Sequence, residues 1–181
     1  IGAPGSGVYF NAVDVLEAAG LSEKDIKPQY QNFDESADAL KDGKIDAAFI
    51  VAGAPTPAIS ELSLTNKNTT IVPIDGDIAD KLMESNTFYS VYKIPAGTYE
   101  NQKADIATVT VKATLIVSAD ADEDAVYKLT AAIFDNIDAI TKEHAKGAEL
   151  SLENATEGLT VPFHAGAAKY FKENGIEVEV K

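Results

Sequence analysis

Ile45-Asp46-Ala47-Ala48-Phe49-Ile50-Val51-Ala52 is an almost unbroken apolar run, and Gly53-Ala54-Pro55 closes it. A strand buried on both faces of a parallel sheet reads this way, because it has no solvent side on which to alternate polar residues. Just upstream, Ile26 to Phe33 reads as a short strand, and Asp34-Glu35-Ser36 offers capping chemistry for a helix carrying Ala37 and Leu40 and stopped at Gly43. Downstream, Pro57 to Leu64 reads as a short helix and Thr69 to Ile74 as a strand, while Ile78, Ala79, Leu82 and Met83 mark a helix closed near Asn86. This alternation predicts an α/β architecture.

The flanks extend the pattern. Phe10, Val13, Leu16 and Ala19 step at helical spacing behind a glycine-rich opening, with Gly20 as the stop. Near Tyr89 the texture changes. Phe88 to Tyr92 and Ala107 to Val117 are rich in β-branched and aromatic residues, separated by the Pro95-Ala96-Gly97 turn and a polar stretch from Glu100 to Asp105, which places a lobe crossover here. One long helix is predicted from Val126 through Leu129, Ile133 and Ile137 to Ile140. Glu153 to Thr160 reads as a loop or helical turn, Gly166 to Asn174 as a last helix stopped by Gly175, and Ile176 to Lys181 as a strand.

The 181 residues suit one large domain or two small lobes, enough to bury roughly 70% of the unfolded surface without disulfides or metals as staples. With 15 basic and 29 acidic residues the net charge is −14, a field that repels phosphate backbones and anionic lipid, so nucleic-acid binding falls away. Every basic residue is lysine. Without arginine, an anionic ligand must be held by backbone amides, hydroxyls or lysine. The absence of cysteine excludes disulfides, thiolate metal sites and cysteine nucleophiles, and fits a reducing or an oxidising compartment. Ile1-Gly2-Ala3-Pro4 has no initiator Met and no leader features, and reads as the end of a strand entering a loop in a piece of a longer protein.

Ala3-Pro4-Gly5-Ser6-Gly7-Val8 is the most informative motif. Two glycines around a hydroxyl at a loop-to-helix junction let backbone approach a ligand while free amides and the helix dipole face negative charge; the plainer reading is a tight turn. Gly2 and Gly7 have the spacing of a nucleotide P-loop, but Val8 stands where its lysine must be and Tyr9 where its hydroxyl must be. Phe10 occupies the third glycine of a dinucleotide fingerprint, and Pro4 and Val8 replace the glycines of a hydrolase elbow around Ser6. Asp120-Ala-Asp122-Glu-Asp124 begins like a calcium loop, yet Ala125 replaces its turn glycine and Ala131 its closing glutamate, so these are helix-start acids. His144 and His164 lack metal spacing and read as surface or capping residues. Tyr89, Tyr92 and Tyr99 could line a site, but strand alternation favours half-buried core. No nucleophile, base and orienter assemble into a catalytic set.

Taken in order, Gly2-Ala-Pro-Gly-Ser-Gly7, Glu35-Ser-Ala-Asp-Ala-Leu-Lys-Asp-Gly-Lys-Ile-Asp-Ala-Ala-Phe49, Ala52-Gly-Ala-Pro55, Ile94-Pro-Ala-Gly-Thr-Tyr99 and Pro162-Phe-His-Ala-Gly-Ala167 resemble the TAXI-type solute receptors of TRAP transporters. The resemblance covers nearly the whole chain. It implies a type II periplasmic binding protein fold, two α/β lobes joined by crossover strands, that captures a small anionic or zwitterionic solute (amino acid or dicarboxylate) and performs no chemistry. It implies no cofactor, an extracytoplasmic location, and a TRAP membrane subunit as partner. Val8 replaces a Thr common in the family after Gly-Ser-Gly, and Ala165 a usual proline. A further glycine-rich first-lobe segment of the family has no match here, so residues 1–100 would be the second lobe, and 101–181 the crossover and the C-terminal part of the first.

The site expected on these grounds is Gly5, Ser6, Gly7 and Val8, supplying amides and one hydroxyl to an anionic group. Gly53 and Ala54 would form the adjacent wall, because ligands of open α/β sheets lie outside strand carboxyl ends. The alternative is a non-catalytic structural or interaction fragment without a ligand, and an enzyme ranks third. Val109 to Val117 and the Val126 to Ile140 helix face are expected to lack their packing partners, so the chain is expected to self-associate.

Overall fold

The computed structural model describes residues 1–159 and 161–180. It is a mixed α/β chain that divides into two compact units, one from Ile1 to Val111 and the other from Lys112 onward.

The first unit contains helices α1 (Gly7–Ala18), α2 (Phe33–Lys41), α3 (Pro57–Thr65) and α4 (Gly76–Ser85), followed by strands β1 (Ser90–Ile94) and β2 (Ile106–Thr110). Its helices begin and end where side-chain chemistry allows. Asn32, rather than Asp34, caps α2: its side chain accepts from the Glu35 amide while the Glu35 carboxylate accepts from the Asn32 amide. Helix α1 stops at Gly20, whose φ of +77° lets the Leu21 amide return to the Leu16 carbonyl at 2.8 Å and the Gly20 amide to Glu17 at 2.9 Å. Pro57 opens α3 at a position where its missing N–H costs nothing.

Burial follows the helical period. Ala12 and Leu16 lie one turn apart on α1, which packs on α4 where Ala79 and Leu82 are buried; Leu82 is 1% exposed. Ser36 and Ala39 of α2 and Ala58 and Leu62 of α3 are the buried positions of the second helix pair. Strands β1 and β2 pair antiparallel with Ser90 opposite Thr110 and Ile94 opposite Ile106. The hairpin between them is held by the Gln102 amide, which donates to the carbonyls of Pro95 (2.9 Å) and Ala104 (3.0 Å), and by Asp105, which accepts from the Ala96 amide at 3.0 Å.

Three expected strands are not strands. The segments 26–32, 45–52 and 69–74 form no ladder among the described residues. Extended propensity becomes a strand only when a neighbour takes the backbone bonds, and here they go elsewhere or unmade. The Gln29 carbonyl accepts from the Ile1 nitrogen at 2.9 Å, Pro28 has no amide to give, and Phe33 already belongs to α2. Ile74 reaches the sheet through one bond, its amide to the Ala107 carbonyl at 3.2 Å. The apolar run 45–52 is partly exposed, with Val51 37% accessible.

The second unit contains α5 (Glu123–Phe134), α6 (Ile137–Glu143), α7 (Leu152–Ala155) and α8 (Ala165–Glu173). The single helix expected through Ile140 is broken at Asp135 and Asn136. The Asn136 side chain donates to the Ala132 carbonyl at 2.8 Å and Asp135 accepts from the Tyr170 hydroxyl at 3.1 Å, side-chain bonds that compete with helix continuation. Ring contacts of Phe134 with Tyr170 and Phe171, and of Phe163 with Phe171, fill the space between these helices. The terminal strand reduces to one parallel bridge, Phe163 with Val180. Thr160 and Lys181, the ends of two expected segments, lie outside the described residues.

Helices α5 and α8 cross at Gly166. A Cβ there would fall on the Glu123 carbonyl oxygen and 2.8 Å from the Tyr127 amide, both backbone and unable to swing aside. Gly166→Ala should therefore lower stability by about 1–3 kcal/mol, read as a lower urea midpoint with an unchanged slope. An unchanged midpoint would show that the crossing yields freely.

Candidate functional site

The loop from Ile1 to Ser6 wraps onto the start of α1. Gly2 has φ +83° and is buried, and a Cβ on it would lie 2.9 Å from both the Tyr9 amide nitrogen and Val8 Cβ, so only glycine fits. Gly5 turns the chain again at φ +73°. Ser6 is the N-cap. Its Oγ accepts from the Tyr9 amide at 3.2 Å and donates to the Ala3 carbonyl at 2.7 Å, while its own amide donates to Ala3 at 3.1 Å.

Ser6 thus spends its hydroxyl proton on its own loop, and the donors left over are amides. Tyr9 is capped and Phe10 donates to the Ser6 carbonyl at 3.4 Å, whereas the Gly7 and Val8 amides have no acceptor among the described residues. The first turn of α1 contains no acidic side chain to neutralise the positive end of the helix. Two unpaired N–H groups at a dipole end, entered through a loop without side chains at Gly5 and Gly7, can receive an anionic group.

Tyr89, which precedes β1, fixes the middle of this helix. Its hydroxyl donates to Asp14 Oδ2 at 2.7 Å and accepts from Asn11 Nδ2 at 2.6 Å, two α1 residues three apart on one face. Burial pushes the phenol up to about 12; the Asn11 amide opposes that rise and the Asp14 carboxylate adds to it. In the first turn of α1, the Tyr9 hydroxyl donates to Glu23 at 3.2 Å, as that of Tyr30 does at 3.1 Å, and the two so tie the segment after α1 back onto it.

Gly53 and Ala54 stand in the loop before α3. The Thr56 hydroxyl donates to the Gly53 carbonyl at 2.7 Å, and the Thr56 amide donates to the buried Tyr99 hydroxyl at 3.0 Å. Ala54 and Pro55 are joined by a cis peptide. No hydrogen bond among the described residues links this loop to Gly5–Val8. Tyr89 and Tyr99 are core residues with committed hydroxyls, although neither lies in a strand; Tyr89 anchors α1 and Tyr99 the loop before α3.

The remaining motifs resolve into helix chemistry. Asp122 caps α5 by accepting from the Ala125 amide at 2.8 Å, and Asp124 pairs with Lys128 at 2.6 Å. His144 accepts from the Lys146 amide at 3.1 Å. His164 caps α8 through Nδ1, accepting from the Gly166 amide at 3.1 Å, which leaves Nε2–H to donate to the Ala121 carbonyl at 3.1 Å. Among the described residues no group of three or more His, Asp or Glu side chains is placed to hold a metal ion, and no helix is long and apolar enough to cross a membrane.

The mixed α/β fold, in two compact units, is that of a periplasmic-type solute-binding protein. The chain belongs to the NMT1-like family, whose model matches residues 1–175. That family consists of solute-binding proteins.

Tyr89 also supplies a titration test. A phenol held above its ordinary 10.0 keeps its proton longer in the folded chain, so its contribution to stability is complete below pH 10 and is lost as pH rises toward 12. Between those values Tyr89→Phe should show a flatter stability profile than the parent chain in urea unfolding. Parallel profiles would mean that Tyr89 ionises as an exposed phenol does.

Proposed function

We propose that this chain is the solute-capturing part of a TAXI-type receptor, located outside the cytoplasm, that takes up a small anionic or zwitterionic solute, an amino acid or a dicarboxylate, and delivers it to the membrane subunit of a TRAP transporter. Membership of a solute-binding family supports the binding role. The observation that carries the ligand class is the unpaired pair of amides on Gly7 and Val8 at the acid-free start of α1. In a chain without arginine, a carboxylate is left to backbone N–H groups, hydroxyls or lysine, and these two N–H groups stand where the first turn of α1 has no acidic side chain to oppose it.

Within this reading Gly5 and Gly7 keep the approach open, Gly7 and Val8 donate, and Ser6 sets their direction through its bonds to Ala3 and Tyr9. Gly53 and Ala54 form the adjacent wall. Residues 1–100 are the second lobe and 101–181 the crossover with the returning part of the first. The protein binds and releases its solute unchanged, with no cofactor.

A thermal-shift screen of amino acids and dicarboxylates should find at least one solute that raises the melting temperature. Ser6→Ala should weaken that solute by about tenfold, the loss of one charge-assisted hydrogen bond through misdirected amides. It should also cost about 1 kcal/mol of stability as a lost cap. A solute bound equally well by Ser6→Ala removes the α1 start from the site, and turnover of any screened compound contradicts the receptor reading.

A further inference from the structure

Gly7 is a glycine that the fold does not require. It lies in the first turn of α1 with ordinary helical backbone, outside the left-handed region that Gly2 and Gly5 occupy. A Cβ on Gly7 would meet no neighbouring heavy atom within 4 Å, whereas one on Gly2 would fall on the start of α1. Helices favour alanine over glycine, so a glycine at an unstrained and uncrowded helical position lowers stability with no return in packing. What it leaves is open space beside the Gly7 and Val8 amides, which have no acceptor among the described residues.

Phe10 stands three residues on, the spacing that places two positions on one face of a helix. It is 58% exposed, yet it is held. Its amide donates to the Ser6 carbonyl at 3.4 Å, and its ring meets that of Tyr9 edge-on, with centroids 5.3 Å apart and 73° between the planes. Tyr9 is fixed in turn by its hydroxyl on Glu23 and by the Tyr30 ring at 6.2 Å. The turn from Gly7 to Phe10 contains no charged side chain. A second carboxylate laid along it would lose water without gaining a counter-charge, whereas an apolar group would cover the Phe10 ring.

We propose that the face shared by Gly7 and Phe10 receives the apolar body of the solute whose carboxylate the Gly7 and Val8 amides hold, so that the site takes an amino acid with an aromatic or branched apolar side chain in preference to a dicarboxylate. This rests on the receptor reading above and narrows its ligand class. The glycine supplies clearance and the ring supplies surface. Three residues of α-helix rise about 4.5 Å, a span that the carboxylate and side chain of a single amino acid cover.

Calorimetric titration of the full chain should give dissociation constants for L-phenylalanine and L-leucine at least about tenfold below those for glycine and succinate. Phe10→Ala should weaken L-phenylalanine by about tenfold and so bring it toward the glycine value. Gly7→Ala should weaken L-phenylalanine by about tenfold or more, while the melting temperature of the solute-free chain stays level or rises. Succinate or glycine bound as tightly as L-phenylalanine, L-phenylalanine binding untouched by Phe10→Ala, or a solute-free chain destabilised by Gly7→Ala overturns this inference and leaves the receptor reading standing. If none of the four solutes binds, the inference falls, and the receptor reading falls with it only when the broader thermal-shift screen also finds no solute.

Discussion

Ser6 makes two bonds with one hydroxyl, and the candidate site depends on that economy. Donating to Ala3 and accepting from Tyr9 locks the entry loop against α1, and the Gly7 and Val8 amides of that helix stay without an acceptor among the described residues. Gly2 makes the lock possible because no side chain fits between it and the Tyr9 amide. The serine's hydroxyl is engaged within its own loop, and on the proposed reading it aims its neighbours. On the proposed reading the donors are peptide groups, which would have little conformational freedom to lose to an anion.

The rest of the first unit keeps that helix in place. Ala12 and Leu16 pack toward α4, and Tyr89 joins Asn11 and Asp14 to the residue that leads into β1, so α1 is held at its cap, along its buried stripe and at its middle. The second unit is held by a different device, the backbone contact at Gly166. His164 caps the helix that begins one residue before that glycine and reaches the Ala121 carbonyl ahead of α5, so the His-Ala-Gly sequence serves a helix crossing rather than chemistry.

What could be read from the sequence was what local residue chemistry dictates. Helix stops at Gly20, Gly43 and Gly175 were legible because only glycine takes the left-handed turn that returns the next amide to the helix. The α/β class was legible from alternation, although the run at Ile45 to Ala52 that suggested it forms no ladder. Whether an apolar stretch becomes a strand depends on a neighbour distant in sequence, and its own residues do not encode one. The break at Asp135 was hidden because the apolar spacing of Ile133, Ile137 and Ile140 continues across it. In the site, the glycine-rich loop was visible, but the commitment of the Ser6 proton and the Tyr89 contacts, made across more than seventy residues, leave no local trace.

The claim that α1 presents two amides to an anionic solute is tested most directly by proton–nitrogen correlation spectra of the full chain titrated with L-glutamate and with succinate. The account predicts that with at least one of them the Gly7 and Val8 amide resonances move farthest and exchange more slowly with solvent at saturation. Saturable shifts that cluster elsewhere and leave Gly7 and Val8 in place would contradict it.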